Sequence, residues 1–249
     1  MNVGQLFQRY FNDWQKFALV GLGALLVQLA VGAIATIVGF IMAGPAIISM
    51  IRMDYLGLDY GPGQVLGFMG AMGGFVIVAV IAGLVGMGLA NGGMVGSMVA
   101  YRRGEDVGLG TFWSYATRHF GKMIGLALIY SVIMLVTALV NIIPVFGQIV
   151  FLLWAPTSFI TLGIYPAYLI INDGYSIGSA IGKGFEILKS QFGASLLGGV
   201  ILLLFVAAFF LVSMVPIIGS LAIAIFGQPL VLFFFVERFE SEVRPQFVG

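Results

Sequence analysis

The chain has 249 residues, 61% hydrophobic and only 8% charged, and its 11 Lys and Arg nearly balance its 10 Asp and Glu. A soluble domain carries about a quarter charged residues, so there is too little polar surface here to cover a globule in water, and the near-zero net charge gives no bulk attraction to nucleic acid. The absence of Cys excludes disulfides, thiolate zinc sites, iron–sulfur ligation and Cys nucleophiles together.

Residues 2–16 scatter Gln5, Gln8, Arg9, Asn12, Asp13 and Lys16 among apolar side chains, and the uncharged run that follows, residues 17–42, is 26 long. That exceeds the apolar core of a secretory signal, and the run continues through the cleavage-like Ala33-x-Ala35. A helix rising 1.5 Å per residue needs about 20 apolar residues to cross a hydrocarbon layer of about 30 Å, with its backbone satisfied internally. Residues 17–42 therefore read as a first span. Others are expected within 64–101 and over 123–142, 149–171, 195–215 and 221–236, six in all.

Between the first two runs, residues 44–63 hold Pro45, Arg52, Asp54, Asp59 and Pro62, and are expected to form an outer loop or a short helix on the far surface. The stretch 64–101 is too long for one perpendicular span, at roughly 55 Å if fully helical. It either tilts and protrudes or breaks near Asn91-Gly92-Gly93. Pro144-Val145-Phe146-Gly147 and Pro216-Ile217-Ile218-Gly219 each separate two apolar runs, where Pro and Gly end one helix and permit a tight reversal.

Arg9 and Lys16 precede the first span. Arg102, Arg103, Arg118 and Lys122 lie between the second and third, Lys183 and Lys189 between the fourth and fifth, and Arg238 and Arg244 after the sixth. Only Arg52 falls on the other side, so 10 of 11 cations share one face. The positive-inside rule makes that face cytoplasmic, and an even number of spans puts both termini there.

The segments before spans one, three and five resemble one another. Counting back seven residues from Phe17, Phe120 and Phe192 gives Tyr10, Trp113 and Phe185, and counting back eleven gives Leu6, Leu109 and Ile181. Those spacings share one helical face, and the intervening residues are largely polar, as expected of amphipathic helices lying in the interface. Phe120 to Pro144 and Phe192 to Pro216 are both 24 residues. The expected fold is an all-α polytopic membrane bundle, a single transmembrane domain over 1–249. Its three units, each an amphipathic helix plus a hairpin, cover about 1–103, 104–173 and 174–249, with an insertion at about 44–76 in the first.

Gly88, Gly92 and Gly96 form a double G-x-x-x-G that lets another helix approach closely. Gly174-Tyr175-Ser176-Ile177-Gly178 matches the nucleophile-elbow pattern, but it follows a membrane helix and the only His in the chain is His119. That His stands beside Arg118 and Lys122 at the interface, with too few companions for a metal site. No Asp, Glu, Lys or Arg lies well inside a span, against the habit of ion-coupled transporters. Gln28, Asn91, Asn141 and Gln228 suit hydrogen bonds between helices, and Pro156, Pro166 and Pro229 are expected to kink spans four and six.

Gly92-Gly93, followed by Tyr101-Arg102-Arg103-Gly104-Glu105 and an aromatic amphipathic helix, resembles a junction in a group of six-helix bacterial membrane proteins. That group is similar to the membrane domain fused to some glycerophosphodiester phosphodiesterases. Tyr165-Pro166-Ala167 through Asn172-Asp173-Gly174 and Ala180 to Phe192 resembles the group's second recurring element. The resemblance implies a bacterial plasma membrane and a non-enzymatic membrane part, the phosphodiesterase chemistry belonging to a separate soluble domain.

These readings lead to a multi-pass plasma-membrane protein with no catalytic, cofactor or metal site. Its interfacial helices are expected to contact membrane lipids, and another membrane protein or a second copy is a further candidate partner. The alternative is a small-solute or lipid transporter with three hairpins around a pseudo-threefold pathway. That arrangement resembles mitochondrial-type carriers, although Pro144 and Pro216 are followed by Val-Phe-Gly and Ile-Ile-Gly, without the charged motifs of that family.

Overall fold

The computed structural model describes residues 3–55 and 61–246, and among them every regular element is helical. In chain order the helices are α1 (Val3–Asn12), α2 (Trp14–Tyr55), α3 (Pro62–Arg102) and α4 (Leu109–Arg118). They continue as α5 (Phe120–Ile142), α6 (Phe146–Asn172), α7 (Ile177–Ser190), α8 (Phe192–Ser213) and α9 (Ile218–Gln246). Six of these, α2, α3, α5, α6, α8 and α9, are long and apolar enough to cross a membrane, which makes this a multi-pass bundle.

The short helices α1, α4 and α7 are amphipathic, and each runs into the span after it through one residue: Asp13, His119 and Gln191. The start of α7 is fixed by Ser176, whose hydroxyl accepts from the Ser179 amide at 3.2 Å.

Two reversals share one geometry. Val145 has φ 62° and ψ −61°, and Ile217 has φ 62° and ψ −60°. The amide after each reaches back to the proline before it, Phe146 N to Pro144 O and Ile218 N to Pro216 O, both at 2.7 Å. These are γ-turns of the less common positive-φ kind, carrying β-branched residues where that φ is costly. Gly147 and Gly219 follow because a Cβ there would lie 1.9 and 2.0 Å from the carbonyls of Val140 and Val212.

The chain divides into two compact units. One comprises the described residues of Met1–Leu25 and Gly88–Gly249, and its core is built on Tyr10, Phe17, Phe112, Met123, Tyr168, Phe233 and Phe235. The other is Leu26–Met87, a helix pair in which Phe75 packs over Gly39, Met42 over Gly74 and Val31 beside Gly86, while Ile37, Phe40, Ile41, Met69 and Ile77 stay exposed.

One expectation changes, and one open choice is decided. Residues 44–55 continue α2 through Pro45 and do not form a loop or a separate surface helix. A proline costs a helix one hydrogen bond, whereas an end in apolar surroundings leaves several backbone groups unpaired. Of that expected loop, residues 56–60, with Asp59, lie outside the described residues. The helix α3 is also unbroken at Asn91-Gly92-Gly93, where its glycines receive side chains of α4 and α5.

Candidate functional site

The candidate site is the charged end of the first unit, where α1 meets α9 and the ends of α3 and α6 are tied to each other and to α9 by polar side chains. Its base is aromatic. Tyr10 and Phe17, seven residues apart across the α1–α2 joint, stack at 4.6 Å between ring centroids, and Phe233 and Tyr101 close on Phe17 at 5.0 Å each. Leu6, Tyr10 and Phe17 are buried, and burial pushes the Tyr10 phenol above its ordinary range.

Proline decides where α1 docks. Pro229 has no N–H to offer the carbonyl of Ile225, four residues before it, and α9 answers with a wide π-helical turn over Ile223–Gly227. The Tyr10 hydroxyl donates to Phe226 O at 2.7 Å, and Gly21 lies so close to Ile225 that a Cβ would stand 2.1 Å from its carbonyl oxygen. A second π-helical turn, Phe159–Ile164, precedes Pro166 in α6, and there Gly184 of α7 sits against the Thr161 carbonyl, 2.3 Å from a would-be Cβ. Thus α1 and α7 each rest on a span widened beside a proline.

Above the aromatic base lies a belt of ion pairs. Arg102 meets Glu237 at 2.8 Å and Glu240 at 3.6 Å, and Arg9 reaches Glu237 at 3.5 Å. Arg244 bridges Glu240 and Asp173, the latter at 2.8 Å, while Arg103 donates to the carbonyl and side-chain oxygens of Asn172, both at 3.1 Å. Asp13 accepts from the Tyr101 hydroxyl at 2.8 Å and pairs with Lys16 at 3.0 Å. The Tyr101 hydrogen bond, followed by that of Lys16, holds the Asp13 carboxyl below the usual carboxylate range. Arg238, 5% exposed, donates to Ala194 O at 2.7 Å and pairs with Glu242 at 3.2 Å, so this buried charge is compensated.

The other stripe residues are placed differently. Leu109 and Phe120 are half-buried, Ile181 is buried, and Trp113, Phe185 and Phe192 are exposed. The face that α4 buries is Phe112 and Ala116, and that of α7 is Ala180, Ile181, Gly184, Ile187 and Leu188. Phe112 inserts between Gly23 and Gly93. Gly88 faces Ile124, Gly92 faces Met123 and Ala116, and Gly96 faces Tyr115.

Arg102 and Arg103 are tied into the belt and Lys183 pairs with Glu186 at 2.8 Å, whereas Arg118, Lys122 and Lys189 are exposed with no ion pair among the described residues. His119 stacks on Tyr115, and burial, then Arg118 and Lys122, hold its imidazole below the ordinary histidine range.

Sequence reasoning missed Phe112, Glu237 and Glu240. Phe112 stands beside the more conspicuous Trp113. The two glutamates could have been suspected from the run Glu237-Arg238-Phe239-Glu240-Ser241-Glu242, which sets acids at helical spacing directly after a span.

No protein-family model matches the chain, and comparison with curated proteins and with solved structures gave no match.

Proposed function

We propose that this is a non-catalytic protein of the cell membrane that binds membrane lipids through α1, α4 and α7, with both termini cytoplasmic. The observation that carries the reading is common to all three joints between a short helix and its span: an exposed aromatic beside an exposed cation. At the first joint these are Phe11 and Trp14 with Lys16, at the second Trp113 with Arg118 and Lys122, and at the third Phe185 and Phe192 with Lys189. Aromatic rings favour the headgroup level, and cations near it attract anionic lipid.

The three one-residue joints, with the second and third of them and the twin γ-turns each 72 positions apart, support an organisation in three units of about 1–103, 104–173 and 174–249. The 10 cations on one face support the orientation. The likeness to the membrane domain of glycerophosphodiester phosphodiesterases fits this reading and supplies no catalytic residue.

The test is lipid retention by the purified full chain, measured by native mass spectrometry after reconstitution with anionic and zwitterionic lipid. Trp113→Ser with Phe185→Ser, and separately Arg118→Gln, Lys122→Gln and Lys189→Gln together, are expected to lower retained anionic lipid without unfolding the bundle, since all five side chains are exposed. Unchanged retention and assembly in both variants would overturn the reading.

A further inference from the structure

At the α1–α2 joint a cleft of about 380 Å³ is lined by three cations, Arg9, Lys16 and Arg102, and by two carboxylates, Glu105 and Glu237, with Tyr101 on its wall. Glu237 is held by Arg9 and Arg102, but Glu105 makes no ion pair among the described residues. Lys16 is also paired with Asp13 and Arg102 with Glu240, but the Arg9 and Lys16 side chains stay about half exposed, 54% and 45%, and keep N–H donors free at the cavity, while Glu105 is the lining carboxylate without an ion pair among the described residues. A phosphodiester carries a single negative charge and accepts charge-assisted hydrogen bonds from Arg and Lys, and a carboxylate without a partner suits a primary ammonium. The ligand class with both groups a few bonds apart is a phosphoethanolamine.

The depth of the cleft favours a lipid source. Lys16 lies in the first turn of α2 and Arg102 closes α3, so the cavity stands at the ends of two spans, where headgroups lie. Phe11 and Trp14 are exposed in the same segment, as aromatic anchors at that level would be.

We propose that this cleft binds the phosphoethanolamine headgroup of an aminophospholipid, the phosphate at Arg9, Lys16 and Arg102 and the ammonium at Glu105. The assignment rests on the lipid-binding reading above and gives one of its three joints a defined headgroup.

The full chain would be reconstituted with equal amounts of phosphatidylethanolamine, phosphatidylglycerol and phosphatidylcholine, and the lipids retained after purification quantified. With Arg118→Gln, Lys122→Gln and Lys189→Gln in the background, so that the other two joints no longer hold anionic lipid, phosphatidylethanolamine is expected to exceed each of the others by at least about fivefold, on the scale of one charge-assisted hydrogen bond. Lys16→Gln is expected to lower retained phosphatidylethanolamine about tenfold. Glu105→Gln is expected to erase its advantage over phosphatidylglycerol while phosphatidylglycerol itself is retained as before.

Adding soluble glycerophosphoethanolamine separates two sources of the same group. Failure to displace the lipid assigns the membrane, and displacement at equal concentration assigns a soluble ester to the same contacts. Equal retention of the three lipids, or a preference unmoved by Lys16→Gln and Glu105→Gln, would overturn the proposal. Total retention reports on the interfacial helices and the ratio between lipids on the cleft, so the first can stand while the second fails.

Discussion

The Tyr10 hydroxyl donates a 2.7 Å hydrogen bond to the backbone carbonyl of Phe226, a residue 216 positions away and three before Pro229. Proline goes with a widened turn in α9, and a side chain of the first amphipathic helix bonds to the backbone of that turn. Tyr10→Phe keeps the ring stack with Phe17 but removes this part-buried hydrogen bond, and is expected to destabilise the protein by about 0.5–1.5 kcal/mol. The check is the thermal unfolding midpoint in detergent, and a midpoint equal to that of the parent would refute the role given to the hydroxyl.

Gly21→Ala acts at the same turn. Its Cβ would meet Ile225 O at 2.1 Å and Ile225 Cα at 2.7 Å, both backbone atoms that no rotamer change can move. Either α2 or α9 must shift, so the loss is expected to exceed that of Tyr10→Phe, within the range of about 1–3 kcal/mol or more for overpacking. Gly32→Ala, with nothing near its Cβ, is the control and is expected to have no comparable effect.

The twin γ-turns should respond alike and in the stabilising direction. Val145 and Ile217 hold φ 62° with β-branched side chains that are themselves exposed. Glycine at either position removes strain of about 1–3 kcal/mol, less the entropy that glycine adds to the unfolded chain. Val145→Gly and Ile217→Gly should each raise the unfolding midpoint, and by similar amounts. A fall in both would show that the turns do not have this geometry.

His119 supplies a pH dependence. Burial and the neighbouring Arg118 and Lys122 lower its affinity for a proton in the folded state, so the unfolded chain binds more protons between the folded value and about 6.5. The stability linked to neutral His119 is therefore fully present above about pH 6.5 and is lost as pH falls through the lowered folded value. His119→Gln should lose less stability than the parent between pH 8 and pH 5, read from unfolding midpoints at the two pH values. Parallel losses would dismiss the effect.

The six spans were legible in the sequence because length and hydropathy are local properties: a run such as 195–215 has few ways to satisfy its backbone in lipid except as a helix. The reversals at 144–147 and 216–219 were legible for a similar reason, since Pro and Gly act on their own dihedrals. The full extent of α2 was not, because Pro45 reads as a stop and only the surroundings of a helix decide whether one lost hydrogen bond ends it.

Which side of each short helix is buried was a matter of tertiary structure. The seven-residue pattern places Tyr10, Trp113 and Phe185 in equivalent positions, yet Tyr10 is 1% exposed, Trp113 41% and Phe185 44%. Helical periodicity defines a stripe but not the neighbour that covers it. Around α4 the covering surface is set by Gly23 and Gly93, which admit Phe112, and around α7 by the widened turn before Pro166. Sequence alone determined that the chain is a multi-pass membrane bundle, because transfer into lipid is decided segment by segment. Only the tertiary structure decided that Arg9, Lys16, Arg102, Glu105 and Glu237 line one cleft, because their meeting depends on how four helix ends converge.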